Sequence, residues 1–256
     1  MKKVNDQYVL SASDLQNYLG CKRITFLDQK VADGNLQKPE INNPAAAVLQ
    51  ELGNKHEENY IKHLEQKRPK VLRLSKNDSP EKAIEAMKAG YDIIAQPKLV
   101  LGQWMGYADI LIKREGKSNL GDYYYEVQDT KLSQITKATT ILQLSLYSEM
   151  INAIQGSHAK EIAVVKPGTT KEPFVIEYFK LSDFDAYYRY IKKQFEEEVA
   201  KGFEEPYPIP VEKCAVCRWW SSCRGKWVAD DHLSLVAGLQ RIHLKTLFSI
   251  FLLFLR

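Results

Sequence analysis

The chain has 256 residues, 45% of them hydrophobic and 27% charged, with a formal net charge of +4. That balance excludes a disordered or fibrous chain and suits one substantial core, alone or with a small appendage. A mildly basic charge permits nucleic-acid binding without arguing for it. The N-terminus, MKKVNDQYVLSASD, has no apolar stretch of the secretory kind, so a cytoplasmic location is expected. The four cysteines then point to metal ligation rather than disulfides.

Residues 8–29 open on a strand or turn, and Ser11 or Ser13 caps a helix through DLQNYLGCKRITFLDQ, with Cys21 near its end. Residues 30–44 are polar and read as a loop. Residues 45–66 form a long helix in which Val48, Leu52, His56, Tyr60 and Leu64 share a face, so His56 looks inward. A short strand at 70–75 precedes a helix opened by Ser79-Pro80-Glu81 and closed by Gly90. Two or three strands follow, with turns at Gly102 and Gly106, the last strand running from Trp104 to Lys113. Asp109 falls in the middle of that run, and strand interiors disfavour aspartate, so its presence needs a reason.

A turn at 117–121 returns the chain through a strand ending near Thr130, and a helix from Ser133 to Ala153 comes next. Strands near 161–165 and 174–179 flank a KPGTTKEP turn, and an amphipathic helix spans Asp183–Lys201, with Phe184, Tyr187, Tyr188, Ile191 and Phe195 on one side. GFEEPYPIP then breaks helix formation ahead of the last three cysteines. The final apolar run, Thr246–Leu255, is about half the ~20 residues a membrane span needs. It reads as a buried terminal helix or as an aberrant or truncated end.

Residues Val127, Asp129 and Lys131 alternate onto one strand face, while Gln143 and Tyr147 are one helical turn apart. Asp109 and Asp129, nineteen residues apart in between, lie on neighbouring strands where two carboxylates can share a hard divalent cation, Mg²⁺ or Mn²⁺. Such an ion polarises a scissile phosphate and activates water. Lys131 beside it can stabilise developing negative charge. His56 and the backbone carbonyl of Thr130 are further candidate ligands, and Glu57 a residue that orients them. Gln143 and Tyr147 can reach a phosphate or nucleotide. Glu126 alternates to the opposite face of the sheet.

Cys214, Cys217 and Cys223 form C-x2-C-x5-C, and Cys21 is the remaining thiol. A zinc ribbon usually offers two C-x2-C knuckles, and here there is one. A 4Fe–4S cluster is therefore favoured, with Zn²⁺ as the alternative. Either would clasp the two ends of the chain together. Arg218, Trp219, Trp220, Arg224, Lys226 and Trp227 surround these ligands. They suit single-stranded nucleic acid by charge and stacking, or the tryptophans simply cover the cluster.

Taken together, Gly53-x2-His56-Glu57, Gly106-x2-Asp109, Asp129-Thr130-Lys131, Gln143-x3-Tyr147 and the one-plus-three cysteines, over about residues 8–227, resemble the RecB-like branch of the PD-(D/E)xK nuclease superfamily. More narrowly they resemble its iron–sulfur members: CRISPR-associated RecB-type exonucleases, AddB-type helicase–nucleases and larger bacterial RecB-like proteins. The resemblance implies an α/β fold with a restriction-endonuclease-like mixed sheet flanked by helices, its N- and C-terminal segments tied by the four-cysteine cluster. Residues 1–44 would form a helical segment carrying the first cluster ligand, 45–204 the nuclease core and 205–228 the cysteine segment. Residues 229–256 would be a truncated or aberrant tail, since in the larger relatives a segment like ADDHLSLVAGLQRIHLKTL leads into further domains.

The resemblance further implies metal-dependent DNA cleavage, with His56, Asp109 and Asp129 as ligands and Lys131 catalytic. Gln143 and Tyr147 match the mark of exonuclease-like members. Single-stranded DNA or DNA ends are the expected substrate, in repair, recombination or CRISPR-type processing, with helicase or repair-complex partners and no membrane. The alternative is a non-catalytic iron–sulfur DNA-binding module of a larger repair complex.

Overall fold

The structure, a computed structural model, describes residues 1–40 and 44–237. In chain order it contains β1 (Lys2–Val4), β2 (Gln7–Val9), α1 (Ala12–Gly20), α2 (Lys22–Ala32), α3 (Pro44–Lys67), β3 (Val71–Arg73), α4 (Pro80–Lys88), β4 (Ile93–Ala95), β5 (Lys98–Leu101), β6 (Trp104–Tyr107), β7 (Ile110–Ser118), β8 (Gly121–Thr130), α5 (Ala138–Gln155), β9 (Glu161–Pro167), β10 (Phe174–Lys180), α6 (Asp185–Lys201) and α7 (Trp220–Ala229). Six strands make one mixed sheet in the order β10-β9-β8-β7-β4-β3, parallel at β8–β9 and β3–β4 and antiparallel elsewhere. The result is a mixed α/β fold with helices on both faces of the sheet.

Strand alternation divides the core. Leu111, Tyr125, Val127, Ile162 and Val164 face one side, where α1, α4, α5 and α6 cover them. Ile93, Ala95, Ile110, Ile112 and Val165 face the other, under Tyr60, Ile61 and Leu64 of α3. Helix α5 is buried nearly all round, with Ile141, Leu142, Leu144, Leu146, Met150 and Ile151 all at or below 5% exposure. Each such side chain contributes about 1.5–3 kcal/mol by burial. A helix apolar on every side belongs in the interior, and α5 lies between the sheet and α1.

Several expected elements change at their edges, each for a local reason. The single helix expected across residues 14–29 is two, because Cys21 takes an extended conformation, φ −165° and ψ 106°. The cap of α1 is Ser11, whose backbone N–H and hydroxyl both donate to Asp14 Oδ2, at 2.9 and 2.7 Å. Val48 and Leu52, expected to face inward, are 56% and 49% exposed, and a buried face on α3 starts only at His56. Tyr187 is likewise exposed, leaving Tyr188, Ile191, Phe195 and Val199 as the inward stripe of α6.

Helix α5 starts at Ala138 rather than near Ser133, since Ser133 is engaged in a turn with Ile135. Leu15 and Tyr18 of α1 belong to the main core, so the N-terminal segment is built into the same body as the sheet. The apolar run Thr246–Leu255 and most of the expected tail lie outside the described residues. Among the described residues no helix is long and apolar enough to cross a membrane.

Candidate active site

The continuous strand expected from Trp104 to Lys113 is broken at Ala108–Asp109. β6 leaves to pair with β5 in a separate hairpin, and β7 starts at Ile110 in the main sheet. The neck of that hairpin is closed by Gln96 N–H to Asp109 O (2.8 Å) and Ala108 N–H to Pro97 O (3.1 Å). Aspartate is poor inside a strand, and here it sits where the ladder stops. Its carboxylate Oδ2 accepts from the backbone N–H and the hydroxyl of Thr130, at 2.8 and 3.0 Å.

Register brings the second carboxylate alongside. Ile110 pairs with Gln128, and the same antiparallel register carried one step further sets Asp109 across from Asp129. Residues directly opposite in such a pair share a face. Asp129 also shares the face of Tyr125 and Val127, toward α5. It is fully buried. Burial first, and then the Asp109 carboxylate, push its pKa well above the ordinary 3.8. Glu126 points the other way and pairs with Arg114 Nε at 2.9 Å.

Lys131 forms an ion pair with Asp129 Oδ2 and reaches Thr130 O at 3.3 Å, with its side chain 35% exposed. Burial works to lower its pKa, but Asp129, Asp109 and Glu57 together hold the ammonium above its usual range. Glu57, half-buried on α3, accepts from Gln96 Nε2 at 2.9 Å. Its own pKa is raised by burial and by Asp109. Three carboxyl groups thus gather about the Lys131 ammonium, with the exposed Lys76 also acting on Glu57. Fully ionised, they carry an excess of negative charge that a divalent cation would offset. Asp129 Oδ2 is itself buried, and Lys131 is paired with it.

Gln143 half-turns out of α5 to donate to Asp129 Oδ1 at 3.2 Å. Its own carbonyl oxygen accepts from Gln16 Nε2 on α1 at 2.9 Å. Gln16 also donates to Thr139 O at 3.1 Å. Gln16 was not among the residues picked out from sequence. A polar residue on a helix that otherwise buries Leu15 and Tyr18 is the only signal that points to it. Tyr147, one turn beyond Gln143, is buried at 5% exposure. Burial, then Asp129 and Asp109, hold its phenol far above the usual range and so protonated. Gly106 lies within β6 rather than at a turn, and it makes room for the Tyr147 ring.

His56 is oriented differently from expectation. Its Nε2 lies 3.2 Å from Val165 O, and its ring packs 5.7 Å from that of Phe174. The residue of α3 that faces the carboxylates electrostatically is its neighbour Glu57. As they stand, no three His, Cys, Asp or Glu side chains among the described residues are disposed as a ready metal-ligand set.

The second candidate site is formed by the cysteines. All four are unbridged, and all four line one small cavity closed by Trp219 and Trp227. Cys21 reaches it because the chain breaks there between α1 and α2. Burial and the neighbouring thiols raise the pKa of Cys217, and they push Cys223 up to about 11. Four thiols crowded in an apolar pocket resist ionising unless a cation replaces their protons. Their donor chemistry therefore fits a thiolate-held metal centre, although the side chains are not drawn into ligand spacing. Trp219 and Trp227, each 3% exposed, cover this pocket and offer no ring face to a nucleic-acid base. Trp220 (42% exposed), Arg224 and Lys226 remain at the surface, and Arg218 is half-buried.

No family model and no curated protein matches this sequence. Among solved structures, SSO0001, known from its crystal structure, is similar at 13% identity over 87% of this chain and 89% of its own. The TM-score is 0.42, too slight a likeness to argue from.

Proposed function

We propose that this chain is a metal-dependent DNA nuclease of the RecB-like PD-(D/E)xK kind, with a restriction-endonuclease-like core, hydrolysing phosphodiesters in single-stranded DNA or at DNA ends. The observation that carries this is the excess of carboxyl groups over ammonium around Asp109, Asp129, Glu57 and Lys131, with Asp129 fully buried. Asp109 and Asp129 would hold Mg²⁺ or Mn²⁺, with Glu57 and the backbone carbonyl of Thr130 beside them. The resemblance adds His56, which would have to leave Val165 O to take part. When bound, such an ion polarises the phosphate and lowers the pKa of water.

The chain's own residues supply the rest. Thr130 fixes Asp109, and Gln16 fixes Gln143, which in turn fixes Asp129. Lys131, kept charged by its three carboxylate neighbours, stands ready to stabilise negative charge growing on the phosphate. Tyr147, protonated throughout the working pH range, can donate its O–H to a phosphate or nucleotide oxygen. The cysteine pocket would carry a 4Fe–4S cluster that clasps α1–α2 to the 214–223 segment, with Zn²⁺ as the alternative.

One assay tests the nuclease reading. Labelled single-stranded DNA is incubated anaerobically with Mg²⁺ or Mn²⁺ and with wild type or Asp129→Asn. Cleavage by the wild type alone, abolished by EDTA, is the expected outcome. Equal cleavage by both proteins overturns the assignment. A second reading is a non-catalytic iron–sulfur DNA-binding module, which uses the cysteine pocket and the exposed Trp220, Arg224 and Lys226 and needs no intact acidic pair. DNA binding without cleavage under any divalent ion would select it.

A further inference from the structure

The cysteine pocket holds more than thiols. Two residues that line it carry buried N–H donors without any partner: Arg23 at Nε and Trp219 at Nε1. The other commitments of Arg23 lie on a different nitrogen, where Nη1 donates to Glu205 Oε1 at 2.6 Å and Pro206 O at 2.9 Å. Trp219 is 3% exposed, so bulk solvent does not reach its indole N–H. Trp227, on the same helical segment, has its indole N–H on Pro208 O. The contrast is informative, because native interiors rarely strand a donor, and each stranded one calls for a missing acceptor. Among the side chains that line this pocket, the atoms able to accept are the four cysteine sulfurs. A thiol is a feeble acceptor, whereas an anionic thiolate or sulfide is a good one.

We propose that Arg23 and Trp219 donate these free N–H groups to the sulfur atoms of the metal-loaded four-cysteine centre, an iron–sulfur cluster, and thereby raise its reduction potential. This rests on the cluster part of the function proposed above. The physical reason is charge. Reduction adds an electron to a centre already made negative by four thiolates. Donors aimed at sulfur, and a guanidinium close by, stabilise the reduced form more than the oxidised one.

The test uses anaerobically purified full-length protein: wild type, Trp219→Phe, Arg23→Lys and Glu205→Gln. Iron and zinc contents are measured first, and the reduction potential is then followed by electron paramagnetic resonance. Trp219→Phe removes the donor and keeps a smaller aromatic ring over the pocket. At a fixed potential it should shift the reduced-to-oxidised ratio about tenfold toward the oxidised form, about 59 mV lower for one electron. Arg23→Lys, which keeps the charge and loses Nε, should shift in the same direction. Glu205→Gln loosens the outer ion pair but spares Nε, and it should not fall.

Should either variant fail to fold, the wild type alone decides. Electron–nuclear double resonance in H₂O and D₂O should reveal exchangeable protons coupled to the cluster beyond the one that Val211 N–H supplies to Cys214 Sγ at 3.3 Å. Equal potentials in fully loaded wild type and Trp219→Phe, or no coupled exchangeable proton besides that of Val211, overturn the inference and leave the cluster standing. Zinc without iron overturns the cluster and the potential-setting role together. The donor role is then read from zinc transfer to a chelator, about tenfold faster in both variants if it holds and unchanged if it does not. No metal of either kind overturns both.

Discussion

Gly106→Ala is the sharpest probe of how the site is assembled. The position is in ordinary strand conformation within β6, so alanine brings no backbone strain. In the absence of other effects it would stabilise by about 0.4–1 kcal/mol through the unfolded state. A Cβ there, however, would meet Tyr147 Cε1 at 2.5 Å and its Cζ and hydroxyl oxygen at 3.1 Å. Non-bonded carbon atoms rest at about 3.5–4.0 Å, so the ring must retreat by roughly 1 Å. It has little space to do so, because Leu144, Leu146, Met150 and Ile151 lock α5 in the core with no exposed surface. Overpacking of this kind costs about 1–3 kcal/mol.

Gly106→Ala should therefore lose about 1–2 kcal/mol net in urea unfolding with EDTA present. In a Tyr147→Leu background the obstacle is gone and the new methyl partly fills the space left behind. The same substitution should then be neutral or stabilising by up to about 1 kcal/mol. A coupling of about 2 kcal/mol is well above the ~0.3–0.5 kcal/mol scatter of independent sites. An equal cost in both backgrounds, or no cost with Tyr147 present, would refute the packing argument. The displaced ring should also cut DNA cleavage about 10–100-fold, since a misplacement of ~1 Å in a site is worth that much.

Asp129→Asn should abolish cleavage yet raise the thermal midpoint of the metal-free protein, because it removes a buried charge that repels Asp109; a lower midpoint would mark the Asp129–Lys131 pair as structural instead. The pH dependence follows in sign. Asp129 holds its proton more tightly folded than unfolded, so its contribution is complete below pH 3.8 and is lost as pH rises toward about 8. Metal-free wild type should weaken over that window relative to Asp129→Asn, and saturating Mg²⁺ should remove the difference, both read by urea titrations across pH. Glu57→Gln should raise the Mg²⁺ concentration needed for half-maximal cleavage about tenfold, and an unchanged requirement would exclude Glu57 from the ion's surroundings. Cys223→Ser should bleach any cluster absorbance and open residues near Cys21 and Cys214 together to limited proteolysis; cleavage at one end alone would contradict a clasp.

The paired faces of β8 and α5 were legible because their periods are simple. Alternation put Val127 and Asp129 on one face, and the four-residue step put Gln143 above Tyr147. The long helix from residue 44 was legible too, but not its depth of burial. Val48 and Leu52 have the right spacing to face inward, and only the extent of the sheet decides that they do not. The break at Asp109 was half-visible, as an aspartate in an apolar run. Two sheets meeting there is a long-range fact, and no local pattern encodes it. The same holds for Gln16, Arg23 and Trp219. Their importance comes from what lies opposite, more than a hundred residues away for Gln16 and nearly two hundred for Arg23.

The nine residues of α1 connect matters that look separate. Midway along the helix Gln16 steadies Gln143, and just past its end Cys21 enters the sulfur pocket. Oxidative loss of whatever those thiols hold would untether one end of a short rod whose other contacts orient the acidic site. Damage at the periphery would then be felt at the chemistry without any change to a residue that performs it.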